Sequence, residues 1–153
     1  MKSLFESASD PIFLDLPDAD IIYYPQFFDK QAADIIFASL AQEIPWQQDE
    51  IRVYGKIHPQ PRLTALFEKK KKSYSYSNIT MQPHPWSLLL QKLKTAIEKV
   101  TETKFTTVLL NQYRDGKDSN GWHADNEKEL GTNPVIASLS FGAERTFQLK
   151  HNL

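Results

Sequence analysis

Asn111-Gln-Tyr113-Arg-Asp-Gly-Lys-Asp-Ser-Asn-Gly-Trp-His123-Ala-Asp125 is the stretch around which the rest of this chain is organised. The residues just before it, Val108 to Leu110, have the aliphatic and β-branched character of a buried strand. Two turn signals follow, Asp115-Gly116 and Asn120-Gly121, with small and charged residues between them. The pattern therefore predicts a strand, a polar loop and a second strand that begins near Trp122.

Two potential metal ligands follow that tryptophan directly. In a strand, positions i and i+2 point to the same face, so His123 and Asp125 would aim a nitrogen and an oxygen at one point. A mixed nitrogen and oxygen ligand set suits a divalent ion such as Fe(II). A His-x-Asp pattern is common by itself, and the alternative is a histidine at a turn edge beside a solvated aspartate.

The segments around these residues carry a resemblance to a known family. Asn111-Gln-Tyr-Arg-Asp-Gly, then Gly121-Trp-His-Ala-Asp-Asn-Glu127, then Pro134-Val-Ile-Ala-Ser-Leu-Ser-Phe-Gly-Ala-Glu-Arg-Thr-Phe147 closely resemble the AlkB family. These are Fe(II)- and 2-oxoglutarate-dependent dioxygenases that demethylate alkylated nucleobases. The resemblance continues upstream through Arg52-Val-Tyr-Gly, Pro61-Arg-Leu-Thr, Tyr74-Ser-Tyr-Ser-Asn-Ile-Thr-Met and Pro83-His-Pro-Trp.

Helical patterns dominate the first half of the chain and strand patterns the second, which predicts an α+β fold. We expect helices at about 29–44, capped by Asp29, and at about 85–100, opened by Pro85. Strands are expected near 21–24, 51–54, 73–81, 105–113, 122–125, 134–141 and 145–150, and no element is assigned to 56–72. The resemblance sharpens the fold to a double-stranded β-helix, or jelly roll, with N-terminal helices packed on one sheet. Residues 1–20 are expected to be a lead-in segment and 21–153 an AlkB-like dioxygenase domain.

The resemblance also assigns roles in the site. His123 and Asp125 would be the catalytic metal ligands, and Asn111 and Tyr113 would hydrogen-bond 2-oxoglutarate. Without it, the tyrosine would be read as a packed ring and Asn111 as a strand-closing amide. Substrate-binding positions of the family match Tyr54, Arg62, Tyr74, Tyr76, Ser77 and Glu127. Tyr54 would be a wedge inserted into the base stack or a sheet-packed aromatic, Arg62 a phosphate contact or a loop brace, and Glu127 an acidic contact to a cationic methylated base.

The implied reaction is oxidative demethylation of alkylated bases in DNA or RNA with Fe(II), O₂ and 2-oxoglutarate, and a paired base would have to be flipped out. The family's distal histidine ligand and two site arginines have no match here. His151 is not expected to replace that ligand. The chain is therefore expected to be C-terminally incomplete, with its last strands missing. We expect a monomeric full-length enzyme, and a possible dimer for a naturally shortened chain. Alternatives are a catalytically silent nucleic-acid-binding relative and an oxygenase acting on another methylated substrate.

The bulk composition limits the class of protein. A chain of 153 residues with 41% hydrophobic residues and no cysteine predicts a globular domain without disulfides or thiolate metal ligands. No membrane span or signal peptide is expected, so the default location is cytoplasmic. The net charge of −1 means that any positive charge for nucleic acid must be local. The run Lys69 to Lys72, beside Tyr74 and Tyr76, is either a solvated loop or a phosphate-contacting patch.

Overall fold

The structure, a computed structural model, describes residues 9–69, 74–76 and 79–151, and for 74–76 and 79–81 it describes the backbone alone. Backbone contacts divide the chain into two compact units. The terminal unit contains the described residues up to Glu43 and those from Ser138 onward, and the central unit is Ile44–Ala137. The expected boundary between a lead-in and a dioxygenase domain stays a prediction.

The terminal unit begins with a hairpin and a helix. Strand β1 (Ile12–Leu16) pairs antiparallel with β2 (Ala19–Tyr23), where only a lead-in and a short strand were expected. Helix α1 (Lys30–Glu43) confirms the first predicted helix. The carboxylate of Asp29 accepts the N–H of Ala32 at 2.8 Å, which confirms the predicted N-cap.

The C-terminal segment packs on this helix. The rings of Phe28 and Phe141 stack with their centroids 5.7 Å apart. Gly142 has φ +85°, and a Cβ on it would lie 2.9 Å from Cε2 of Phe37, so a larger residue would be strained and crowded. The core of the unit is formed by these contacts together with the buried face of α1, which consists of Ala32, Ile36 and Leu40.

The central unit contains six strands, two helices and three sheets within the described residues. Strand β3 (Glu50–Val53) pairs with β4 (Lys56–Pro59), β5 (Leu63–Glu68) with β8 (Thr107–Gln112), and β6 (Tyr74–Tyr76) with β7 (Ile79–Met81), all antiparallel. Helix α2 (Leu88–Thr101) precedes β8, and a short 3-10 helix (Lys128–Leu130) follows it. The α+β prediction is confirmed.

Strand β5 is the most buried element of the central unit. Ala65, Leu66 and Phe67 are each no more than 4% exposed. One edge of β5 pairs with β8 along its whole length. At the other edge, Thr64 pairs with Gln47, and the N–H of Glu68 donates to the carbonyl of His84 at 3.1 Å. Both edges of β5 are therefore hydrogen-bonded, and the strand fixes the position of β8.

Several predicted elements were wrong. Residues 73–81 contain two antiparallel strands rather than one, and residues 56–68, for which no element was predicted, form two further strands. Ser87 caps α2, which begins at Leu88 rather than near Pro85. No strand forms at 122–125, 134–141 or 145–150. A strand needs a hydrogen-bonded neighbour, and the described residues provide none for these three segments; Val135, Ile136, Phe147 and Leu149 are accordingly more than half exposed.

Among the described residues, neither α1 nor α2 nor any other helix has the length and apolar character that crossing a lipid bilayer requires.

Candidate metal centre

His123 and Asp125 bring their side chains together. Nε2 of His123 lies 3.4 Å from Oδ1 of Asp125, and the two side chains are 37% and 40% exposed. The segment is a loop rather than the predicted strand, so strand geometry does not produce this approach. The two donor atoms nonetheless converge at the surface of the central unit, where a small ion could reach both.

The backbone of Gly121 holds the ring of His123. Nδ1 of His123 lies 2.9 Å from the carbonyl oxygen of Gly121. A carbonyl oxygen only accepts hydrogen bonds, so Nδ1 must carry the proton and donate. The other ring nitrogen, Nε2, is the one that faces Asp125. Histidine ligands in metalloproteins are commonly oriented by such a second hydrogen bond.

The donor separation suits a shared metal ion. Bonds of about 2.1 Å that meet at angles of about 90 to 110° place two donor atoms about 3.0 to 3.4 Å apart. The distance of 3.4 Å between Nε2 and Oδ1 lies at the upper end of that range. One imidazole nitrogen and one carboxylate oxygen are also a donor set that Fe(II) accepts. The residues present therefore fit a divalent ion.

The loop that leads to these ligands is organised by Asp118. This residue is 7% exposed, and its carboxylate accepts the backbone N–H of Arg114 at 2.9 Å and its Nε at 2.7 Å. The hydrogen bonds to Asp118 raise the pKa of the Arg114 guanidinium. Asp115 Oδ1 accepts the N–H groups of Lys117 and Asp118, and the N–H of Ser119 donates to the carbonyl of Pro61 at 2.8 Å.

Sequence reasoning missed this loop core. The available signal was a pair of opposite charges four residues apart, Arg114 and Asp118, which flank the first glycine turn, Asp115-Gly116. Because the loop is tied to itself and to Pro61, the backbone that precedes His123 is held in place without any regular secondary structure.

The expected co-substrate residues lie at the end of β8. Asn111 is exposed and pairs with Thr64 across β5 and β8. Its Oδ1 accepts a hydrogen bond of 2.9 Å from Nε of Arg62. Tyr113 is half-buried and follows the strand by one residue. Arg62 is only 4% exposed, which supports a bracing role over a phosphate contact.

The structure describes the side chains of only some of the expected substrate-binding residues. Tyr54 is fully exposed at the tip of the β3–β4 hairpin. Glu127 is half-buried, and among the described residues its Oε2 has no hydrogen-bond partner. Tyr74 and Tyr76 lie in β6, where only the backbone is described, and Ser77 lies outside the described residues. Their proposed roles stay predictions.

A third metal ligand is not found in the described part of the chain, where no three histidine, aspartate or glutamate side chains cluster. Nε2 of His151 lies 2.9 Å from Oδ2 of Asp18, within the terminal unit. His151 is the only histidine that follows His123 in the sequence, and its Nε2 is thus engaged by Asp18.

Comparisons with known proteins identify the family of this chain. The family model described as the 2OG-Fe(II) oxygenase superfamily matches residues 20–152. The mouse protein named alpha-ketoglutarate-dependent dioxygenase alkB homolog 3 is 47% identical over 131 residues, covering 85% of this chain and 45% of the mouse protein. The human protein of that name is 45% identical over 131 residues, with 85% and 45% covered.

Bovine DNA oxidative demethylase ALKBH2 is 37% identical over 131 residues, covering 84% of this chain and 47% of the bovine protein. The chain thus spans about half the length of the curated relatives it matches. The family model covers most of the chain, and these relatives are 37% to 47% identical to it over 131 residues. This protein therefore belongs to the 2OG-Fe(II) oxygenase superfamily and, within it, to the AlkB family.

Proposed function

We propose that this chain acts in the oxidative demethylation of alkylated nucleobases in DNA or RNA, as a dioxygenase that uses Fe(II), O₂ and 2-oxoglutarate. The observation that carries the proposal is the approach of His123 Nε2 to Asp125 Oδ1, with the opposite ring nitrogen held by Gly121. Membership of the AlkB family supports the same chemistry. We further propose the jelly roll of the family as the architecture of the complete enzyme.

Each residue of the site has a part in this proposal. His123 and Asp125 would hold the iron, while Asn111 and Tyr113 would bind and orient 2-oxoglutarate. When bound, the iron and the co-substrate supply the oxidation, in which 2-oxoglutarate is decarboxylated to succinate and the methyl group is released as formaldehyde. His123 and Asp125 already lie close together, and the ring of His123 is held by Gly121, so the two ligands would need little further ordering when the ion binds.

Recognition of the base would come from other side chains. Glu127 would place a negative charge beside a base that methylation of a ring nitrogen has made cationic, and so favour it over an unmodified neutral base. Tyr54 would enter the base stack and compensate for the lost stacking when the base is flipped out. Alkylation that blocks base pairing lowers the cost of flipping, and this contributes to selectivity.

The test is turnover of a methylated oligonucleotide by this chain. We expect formation of succinate and formaldehyde that requires added Fe(II) and 2-oxoglutarate and is lost in His123→Ala and Asp125→Ala. Asp10→Ala, which removes an exposed carboxylate of the terminal unit, is the matched control and should leave turnover unchanged. A chain that binds Fe(II) and 2-oxoglutarate but releases no formaldehyde would contradict the demethylase proposal.

A second function is supported by the two-ligand site. Because the described residues contain no cluster of three potential ligands, the chain could instead be a silent nucleic-acid-binding relative. This alternative predicts that methylated DNA or RNA binds with the same affinity in the presence and absence of Fe(II), and that no succinate forms. Turnover in the preceding experiment would exclude it.

A further inference from the structure

The side chain of Arg62 is held inside the central unit rather than displayed to solvent. It is 4% exposed, and its backbone N–H donates to the carbonyl of Gln60 at 2.8 Å. Its Nε donates to Oδ1 of Asn111 at 2.9 Å. A phosphate contact requires a cation that the nucleic-acid backbone can reach, and this degree of burial does not offer one.

The hydrogen bond from Arg62 determines the orientation of the Asn111 side-chain amide. A guanidinium group can only donate, so the acceptor end of the amide must point toward Arg62. The donor end, Nδ2, is therefore directed away from Arg62. Asn111 is exposed, and among the described residues its Nδ2 has no hydrogen-bond partner. The side chain thus presents two N–H donors and no acceptor on its open side.

We propose that Arg62 is a positioning residue that fixes Asn111 as a hydrogen-bond donor to a carboxylate of 2-oxoglutarate. This inference rests on the proposed function, because Asn111 contacts the co-substrate only if the chain binds one. Without Arg62 the amide could rotate by half a turn and direct its carbonyl oxygen at the anionic co-substrate. Such an arrangement would replace an attractive contact with a repulsive one.

Replacing Asn111 with aspartate tests whether the Nδ2 donors bind the co-substrate. In Asn111→Asp, the new carboxylate still accepts from Arg62, through a charge-assisted hydrogen bond, but the Nδ2 donors are gone. We expect a melting temperature equal to or above that of the unaltered chain. We also expect 2-oxoglutarate to bind at least about tenfold more weakly, as measured calorimetrically with Mn(II) in place of iron.

Replacing the arginine tests the positioning role directly. In Arg62→Met the packing volume is largely kept and the donor is removed, and we expect about three- to tenfold weaker binding of 2-oxoglutarate. Affinity for Mn(II) alone should not change, whereas general damage to the site would lower it. Arg52→Gln, which removes an exposed arginine from β3, is the matched control and should leave both affinities unchanged.

The double variant separates positioning from direct attraction. If Arg62 acts only through Asn111, a variant that carries Arg62→Met together with Asn111→Ala, which introduces no charge, binds 2-oxoglutarate no more weakly than Asn111→Ala alone. Independent, multiplicative losses would mean that Arg62 attracts the co-substrate directly and would overturn the inference. Unchanged affinity in a folded Arg62→Met chain would overturn it as well. If the unaltered chain does not bind 2-oxoglutarate, the proposed function fails, and this inference fails with it.

Discussion

Tyr54 occupies a backbone conformation that its residue type disfavours. The hairpin between β3 and β4 turns through Tyr54 and Gly55, with φ +48° and +78°. Positive φ at both central residues defines a type I′ turn, for which Asn-Gly is the preferred sequence. The ring is fully exposed, so packing within the chain does not compensate for the strain. This combination favours a function outside the chain, as the proposed wedge would have.

Changing Tyr54 to Asn separates stability from recognition. We expect Tyr54→Asn to stabilise the chain by roughly 0.5 to 1 kcal/mol, because asparagine tolerates positive φ and suits this turn. We also expect the ratio of duplex to single-strand affinity to fall about tenfold, because a lost wedge affects only the substrate that must be unstacked. Thermal melting and fluorescence anisotropy measure the two effects.

Tyr23 offers a control for that experiment. It is an exposed tyrosine in β2, 55% accessible, with a negative φ. Tyr23→Asn should leave the ratio of affinities unchanged. If Tyr54→Asn leaves the ratio unchanged too, the side chain at the hairpin tip is not a wedge.

At the scale of the element, the C-terminal end of α2 depends on Glu98. Its side chain is 9% exposed and accepts the backbone N–H of Phe105 at 2.8 Å, and the ammonium groups of Lys94 and Lys104 each lie 3.0 Å away. The hydrogen bond from Phe105, followed by those from the two lysines, lowers the pKa of Glu98 to about 2. The carboxylate thereby joins the end of the helix to the segment that enters β8.

Glu98 therefore predicts a pH dependence. A group whose pKa is lowered on folding stabilises the fold above its unfolded pKa, near 4.5, and the effect is lost as the pH falls toward about 2. We expect Glu98→Gln to melt several degrees below the unaltered chain at pH 7, with a difference that shrinks below pH 4.5 and vanishes near pH 2. The measurement is a series of thermal melts at pH values from 2 to 7.

Glu43, the exposed last residue of α1, provides the comparison. It forms no ion pair among the described residues, so Glu43→Gln should change the melting temperature little at any pH in the series. A deficit in Glu98→Gln that persists at pH 2 would mean that the carboxylate charge is not the source of the stabilisation.

Sequence patterns predicted elements where one local rule was sufficient. Apolar spacing together with Asp29 located α1, and the aliphatic run before Asn111 located β8. The same reasoning assigned no element to β5, whose short apolar run Leu63-Thr-Ala-Leu-Phe67 lies between Pro61 and the lysine run. A short apolar run bounded by a proline and by charges is also typical of a fully buried strand, and β5 is one.

The candidate site shows a different limit of sequence reasoning. The spacing of His123 and Asp125 predicted that the two side chains converge, but the strand that was invoked does not form. His123 is oriented instead by the hydrogen bond that its Nδ1 donates to the carbonyl of Gly121, and the preceding loop is held by the hydrogen bonds to Asp118. The folded backbone sets the partners of both. The link between Arg62 and Asn111 spans 49 residues of sequence, and a local pattern cannot reveal such a contact.

At the scale of the whole molecule, the charge balance limits how nucleic acid could be held. The chain carries 18 basic and 19 acidic residues, so attraction to phosphates cannot come from the net charge. The strongest basic run in the sequence is Lys69 to Lys72. The N–H of Lys69 donates to the carbonyl of Thr106, and the other three lysines lie outside the described residues. Their contact with phosphate stays a prediction.

Salt dependence tests this prediction. Each phosphate contact contributes about 0.7 to 0.9 to the slope of log affinity against log salt concentration. If Lys71 and Lys72 contact phosphates, replacing both with glutamine should reduce the slope by about 1.4 to 1.8. Titrations of a labelled oligonucleotide at several salt concentrations measure it.

A matched pair of lysines lies on α2. Lys92 and Lys99 are both exposed, so replacing them with glutamine removes the same charge from a different surface. That variant should keep the original slope. If both double variants show the same slope of log affinity against log salt concentration, Lys71 and Lys72 do not contact phosphates.

The pairing of β5 on both edges also determines where the chain is open to aggregation. A strand with free backbone groups and apolar side chains is a template for pairing with another molecule, and β5 offers neither a free edge nor an accessible surface. Among the described residues, the β1–β2 hairpin pairs with no third strand, and Phe13 and Ile12 are 72% and 47% exposed. We therefore expect intermolecular β-sheet pairing to begin at the β1–β2 hairpin. Strand β5, which fixes β8 beside the candidate site, is protected from such pairing.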